Sequence, residues 1–198
     1  MSRKIDELKF IHLSWKQVED FIIELAEKIR RSGFRPDIIV AVSRGGFDPA
    51  RLLCDQMMIR RLASLQVEYY EGMEVLGEPK IVIPLNADVE GLKVLLIDDV
   101  SDTGDSLNLA IQHIRDHGSE EVKIATLHCK PWSNFKPDFY VKSVKSWIVY
   151  PWELKETLLT IAEKLEREEY DRSEIPLKLE KMGFKTKDIR RYMENGSQ

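Results

Sequence analysis

Val94-Leu95-Leu96-Ile97-Asp98-Asp99-Val100-Ser101-Asp102-Thr103-Gly104-Asp105-Ser106 decides the architecture. Lys93 to Asp98 is a nearly continuous apolar run, the pattern of a strand covered on both faces inside a parallel sheet. It delivers two adjacent carboxylates to its carboxyl end. A turn of small polar residues then leads into a helix expected from about Ser106 to His117, stopping at Gly118. The backbone N–H groups of such a turn, the hydroxyls of Thr103 and Ser106, and the positive end of the helix dipole together make a phosphate cradle. Hard carboxylate oxygens beside it suit Mg²⁺ or ribose hydroxyls. The bland alternative is that the acids only cap the helix, which needs fewer aspartates than this turn holds.

The same strand, turn, helix grammar recurs on either side. Upstream, residues 37–42 (DIIVAV) form a second apolar run, bounded by Pro36 and by Ser43 to Gly46. Asp48 as N-cap and Pro49 at the first helical position predict a helix through about Met58. Downstream, residues 121–129 (EVKIATLHC) read as a third buried strand. Residues 63–70 (ASLQVEYY) and 80–85 (KIVIPL) read as strands separated by a polar loop, 71–79, that is expected to move. Near the start, Ser14 and Gln17 make a capping box for a helix whose apolar positions are Val18, Phe21, Ile22, Leu25 and Ile29. The prediction is an α/β fold, a largely parallel twisted sheet flanked by helices, with ligands at the carboxyl ends of its strands. After Pro151 the pattern becomes helical: Leu154 to Leu165, Ile175 to Met182, and Thr186 (N-cap) to Met193. The expected division is a domain over 1–153 and a small helical bundle over 154–198, which should dock on the α/β body.

Composition narrows the function classes. The 198 residues carry a net charge of −4, which argues against a dedicated nucleic-acid binder. No apolar run approaches the ~20 residues of a membrane span, and the polar first residues lack a signal-peptide core, so a cytoplasmic protein is expected. The two cysteines, Cys54 and Cys129, have no CxxC spacing and read as buried thiols. His113 and His117 suit a helix C-terminus better than a metal.

Two further constellations carry chemistry. In Ser43-Arg44-Gly45-Gly46 the glycine pair lets backbone approach an anion, and Arg44 supplies a fork of donors for phosphate oxygens. A plain tight turn would read the same way in isolation. The second constellation is Cys129-Lys130-Pro131 with Trp147-Ile148-Val149-Tyr150-Pro151-Trp152-Glu153. Here Lys130 can donate to a carbonyl, Trp147 can stack on a planar base and Glu153 can reach a metal. Core packing, solvation and helix-start roles are the ordinary alternatives for these residues.

Together these motifs resemble the type I phosphoribosyltransferases, and the last resembles the purine-binding region of the hypoxanthine-guanine and xanthine-guanine branch. The resemblance spans roughly residues 14 to 153. It implies an enzyme that joins N9 of a purine base to the ribose of phosphoribosyl pyrophosphate (PRPP), giving a purine nucleoside monophosphate and pyrophosphate, with Mg²⁺ as cofactor. It further implies that Ser101, Asp102, Thr103, Gly104, Asp105 and Ser106 hold the 5′-phosphate. Asp98 and Asp99 would hold ribose and metal, with Glu153 as a further metal contact standing where an aspartate is usual. Asp102 would be the general acid/base near N7. Ser43, Arg44 and Gly45 would bind pyrophosphate, with a strained peptide between Ser43 and Arg44 that can be cis. Lys130, Trp147 and the Ile148 backbone would contact the base, and Tyr69 and Tyr70 would lead into a hood over PRPP. Relatives are commonly homodimers or homotetramers. Two alternatives stay open: adenine as the base, and a PRPP-sensing regulator whose helical tail binds DNA.

Overall fold

A computed structural model describes residues 8–71 and 76–194, without the side chains of residues 70, 71, 76 and 194. The fold divides into two compact units, 18–145 and a second made of the N-terminal segment through 17 with 146 onward. Among the described residues no helix is long and apolar enough to cross a membrane.

The chain begins with β1 (Phe10–His12) and α1 (Trp15–Arg31). Ser14 and Gln17 form the expected capping box, the Gln17 N–H donating to Ser14 Oγ at 3.3 Å and the Ser14 N–H to Gln17 Oε1 at 3.0 Å. The larger unit is built on a six-stranded sheet. Its strands are β2 (Ile38–Ser43), β3 (Leu62–Glu71), β4 (Leu76–Ile83), β5 (Lys93–Ser101), β6 (Glu121–Cys129) and β7 (Phe139–Ser143). They lie in the order β4-β3-β2-β5-β6-β7, all pairs parallel except the antiparallel β3–β4 pair. The three apolar runs of the sequence, β2, β5 and β6, are interior strands, which is why their side chains are buried on both faces. Val40, Val42, Leu96 and Ile124 form one core with Leu107, Ala110, Ile111 and Ile114 of α3 (Asp105–Asp116). Ile39, Ala41, Leu95, Ile97 and Leu127 are equally buried. α2 (Phe47–Met57) packs on β2 and β5, while α1 reaches β7 through Lys28, whose Nζ donates to the Tyr140 carbonyl at 2.9 Å. Cys54 and Cys129 are buried free thiols.

Two helix starts in this unit differ from expectation. α2 begins at Phe47, with Gly46 as N-cap and Asp48 inside the first turn. The tight glycine turn itself starts the helix: the Gly46 N–H bonds back to the Val42 carbonyl, and the Gly46 carbonyl accepts from Ala50. Likewise α3 begins at Asp105, one residue early, because Gly104 takes the cap at φ +97. Of the expected loop, residues 72–75 and the Tyr70 side chain lie outside the described residues, and β4 already begins at Leu76.

In the second unit, β1 pairs in parallel with β8 (Trp147–Val149), which is followed by α4 (Leu154–Arg167), α5 (Ile175–Lys181) and α6 (Thr186–Ile189). That pairing is why residues 146–153 cluster with the helical tail rather than with the α/β body. Thr186 is the first helical residue, with Lys185 as N-cap, and the helix widens into a π-turn at Arg190–Glu194. The tail has a core of its own: Val149 packs with Leu158, Ile161, Leu165, Ile175, Leu179, Phe184 and Ile189. β1 contributes to this unit through His12, which bonds by Nε2 to the Met182 carbonyl at 2.8 Å and meets the Phe184 ring edge-on at 4.6 Å.

One buried group makes stability depend on pH. His128 on β6 is 1% exposed and lies against Phe21 of α1, ring centroids 5.4 Å apart. Burial, then the charges of Lys130 and Lys142, push its imidazole down to about 4 from an ordinary 6.5. Below the ordinary value the unfolded chain takes a proton that the folded chain refuses, so stability is lost as pH falls from about 6.5 towards 4. The loss is on the order of 3 kcal/mol across that window. In urea unfolding at about pH 7 and about pH 4.5, His128→Phe should lose less stability on acidification than the wild type. Equal losses would remove His128 as the cause.

Candidate active site

β2 and β5 are neighbours in the sheet, yet the chain leaves β2 towards β3 and β5 towards β6. That is a topological switch point, where loops diverge and leave a crevice at the carboxyl ends of the strands. The register Ala41↔Ile97 puts the Ser43 to Gly46 turn next to Asp98 and Asp99. The Ser43–Arg44 peptide is cis. A Cβ on Gly45 would lie 2.7 Å from the carboxyl carbon of Asp99, so a side chain there would have to displace that carboxylate. Asp99 itself is 7% exposed. Burial, and then the like charge of Asp99, raise the Asp98 carboxyl well above its ordinary range, against the pull of the Asp99 N–H that donates to Asp98 Oδ1 at 2.9 Å. Two adjacent, partly desolvated carboxylates of this kind favour a cation between them and a substrate.

The turn after β5 forms one wall of an open cleft of about 800 Å³, lined also by Tyr69, Gly77, Glu78 and Pro79. Thr103 and Ser106 present their hydroxyls there with Tyr69, whose hydroxyl bonds to Thr103 Oγ1 at 3.3 Å and accepts from Ser106 Oγ at 3.1 Å. Tyr69 thus touches the cradle itself. Ser101 behaves differently from its neighbours. It is 1% exposed, and its hydroxyl donates to the Phe135 carbonyl at 2.9 Å and meets Ser133 Oγ at 2.8 Å. Asp105 occupies the first turn of α3.

The segment leaving β6 is stitched to this turn. The Lys130 N–H donates to the Ser101 carbonyl at 2.9 Å and the Asn134 N–H to the Thr103 carbonyl at 2.8 Å. Phe135 fills the space beside Gly104 where a side chain would stand. Lys130 is buried, which lowers its ammonium pKa; the nearby Asp102 carboxylate opposes that shift. Trp132, to which sequence reasoning assigned nothing, donates its indole N–H to Asp102 Oδ1 at 2.8 Å. A tryptophan in a polar loop carries no sequence signal for such a bond.

The family model for the phosphoribosyl transferase domain matches residues 13–157. The chain belongs to the phosphoribosyltransferase family. Solved structures of similar fold include a purine phosphoribosyltransferase from Pyrococcus horikoshii. It is 40% identical with a TM-score of 0.65, over 72% of this chain and 93% of that one. A protein from Neisseria gonorrhoeae solved with bound ppGpp is 28% identical with a TM-score of 0.67, over 80% of this chain and 95% of that one. A xanthine-guanine phosphoribosyltransferase from Desulfotalea psychrophila is 30% identical, over 71% of this chain and 84% of its own length.

The remaining expected residues of this phosphoribosyltransferase belong to the second unit. Trp147 on β8 is 45% exposed, with Lys164 Nζ of α4 placed 5.7 Å from its ring centroid. Ile148 is buried and pairs with Ile11. Glu153 is the N-cap of α4, and its Oε1 accepts the Tyr150 N–H at 3.3 Å. Trp147 and Glu153 both line a cavity of about 150 Å³ with Leu8, Phe10 and Lys164. Among the described residues no three His, Cys, Asp or Glu side chains gather as a metal cage.

The Gly45 contact is directly testable. Gly45→Ala should push Asp99 out of its packed position and, if this turn receives pyrophosphate as proposed below, weaken pyrophosphate binding by about tenfold or more while the thermal transition moves by only a few degrees. Unchanged affinity by calorimetry would show that the turn tolerates a side chain.

Proposed function

We propose that the chain transfers the 5-phosphoribosyl group of PRPP to N9 of a 6-oxopurine, namely hypoxanthine, guanine or xanthine. The products are the nucleoside 5′-monophosphate and pyrophosphate, as needed for purine salvage. The observation that carries the reading is one region of the sheet. The carboxyl ends of β2, β5 and β6 bring a glycine turn, an acid pair, a phosphate cradle and the Lys130–Asp102 pair into adjacent loops. The relatives named for xanthine and guanine support the choice of base. Chemistry supports it too: an ammonium donates and does not accept, so Lys130 suits the O6 carbonyl of a 6-oxopurine and mismatches the amino group of adenine. No observation favours the adenine alternative. The regulator alternative gains nothing from a tail whose acidic and basic residues are mixed rather than gathered into a basic face.

In this reading Thr103, Ser106 and the N-terminal amides of α3 hold the 5′-phosphate, with Tyr69 closing on it. Asp98 and Asp99 hold the ribose hydroxyls and Mg²⁺. Such an ion, completed by substrate oxygens, needs only one or two protein carboxylates, which is what the pair offers. When bound, the ion neutralises charge on the departing pyrophosphate. Arg44 and the Gly45 backbone receive that pyrophosphate. The bond from ribose C1 to pyrophosphate oxygen breaks as N9 approaches from the opposite face. Asp102 takes the proton that the imidazole part of the base gives up. Trp147 is assigned to stacking on the base and the Ile148 backbone to its edge. Positioning and charge neutralisation supply most of the acceleration, since the protein forms no covalent bond.

Two measurements test this. With PRPP and Mg²⁺, kcat/KM for at least one 6-oxopurine should exceed that for adenine by about 10²-fold or more, the discrimination a polar subsite achieves. A preference for adenine would overturn the choice of base. Asp102→Asn should lower kcat by about 10²-fold with PRPP affinity nearly unchanged. Wild-type turnover in that variant would reject Asp102 as the acid/base.

A further inference from the structure

We propose that Trp132 is a positioning residue for the transfer: its indole N–H holds one oxygen of Asp102 so that the other is presented to the base. This rests on Asp102 being the acid/base.

Trp132 is 53% exposed, so burial does not explain a large apolar side chain in this loop. What the side chain does is donate to Asp102 Oδ1 at 2.8 Å. An indole N–H can only donate, and a bond to a carboxylate is charge-assisted and directional. An exposed aspartate left to itself rotates among several orientations. Here the donor stands on a fixed support. The Lys130 and Asn134 N–H groups bond to the carbonyls of Ser101 and Thr103, the two residues flanking Asp102. Donor and acceptor are therefore carried by backbones already tied together, and the side-chain bond selects one carboxylate orientation at little further entropic cost. The indole ring has a second partner: Lys130 Nζ lies 5.5 Å from its centroid. One side chain thus links the lysine assigned to the purine 6-substituent with the carboxylate assigned to the imidazole part. Reaching those two ends of a purine at once is a geometric demand, and small displacements at such a contact cost rate.

The test separates the N–H from the ring. Trp132→Phe keeps an aromatic face for Lys130 and removes the donor; kcat should fall about tenfold while KM for PRPP changes by less than about twofold. Trp132→His, which retains a ring N–H, should recover part of the rate. In the Asp102→Asn background the Trp132→Phe change should cost nothing more, because the carboxylate it orients is gone. In ¹⁵N-indole spectra, the resonance missing from Trp132→Phe should be the one that moves in Asp102→Asn, and the other tryptophan signals should report an intact fold. Wild-type kcat in Trp132→Phe, or the same tenfold loss in the Asp102→Asn background, would overturn the inference while leaving Asp102 as the acid/base. Wild-type turnover by Asp102→Asn alone would remove both readings at once.

Discussion

The parallel pairing of β2 with β5 is the constraint from which the site follows. Once Ala41 stands opposite Ile97, the residues just beyond on each strand must share one small volume, and they are a glycine turn and an acid pair. Within it a Cβ on Gly46 would run into the backbone of Val42 and Ile97, and one on Gly45 would have to displace the Asp99 carboxylate. Packing below the turn is uncompromising: Ile39, Val40, Leu95, Leu96 and Ile97 are fully buried, and each contributes about 1.5–3 kcal/mol relative to exposure. A slip of one residue would set every one of these side chains against different neighbours in a close-packed interior, so the hydrophobic core fixes the position of the polar loops above it.

Electrostatics then differentiates the aspartates. Asp98 and Asp99 sit at the end of a covered strand, where burial and mutual repulsion make both charges costly together. Asp102 lies further out, exposed, with an indole donor and a lysine beside it. In the proposed reaction one residue type therefore does two jobs, a cation-holding pair in the first environment and a proton acceptor in the second. A span of a few residues holds both because the strand ends between them.

Signals local in sequence were legible in advance. Apolar runs at β2, β5 and β6, the capping box at Ser14 and Gln17, and the polar turn before α3 each lie within a few residues of what they organise. The gathering of Asp98, Asp99, Thr103 and Ser106 at one strand end was legible for the same reason. What escaped depends on partners far away along the chain. β1 and β8 are three residues each and become strands only by finding one another. Ser101 stands in the loop that the resemblance gives to the 5′-phosphate, and nothing in the sequence tells that its hydroxyl is engaged by Phe135 and Ser133. Trp132 shows the reverse case, an ordinary loop residue until β6 is laid beside β5. The first residue of α2 was misplaced because Asp48 and Pro49 are strong local signals, while Gly46 draws its hydrogen bond from the strand before it.

The β1–β8 pairing also bears on how the chain is made. Phe10 emerges from a ribosome long before Trp147, so the earlier strand must wait, unpaired, for most of the polypeptide to appear. All six strands of the larger sheet lie within 18–145, so that sheet can close while synthesis continues. Completion of the second unit is thereby timed by translation rather than by local propensity. A pause in elongation between β7 and β8 would prolong the interval in which the apolar residues of β1 stand exposed to chaperones.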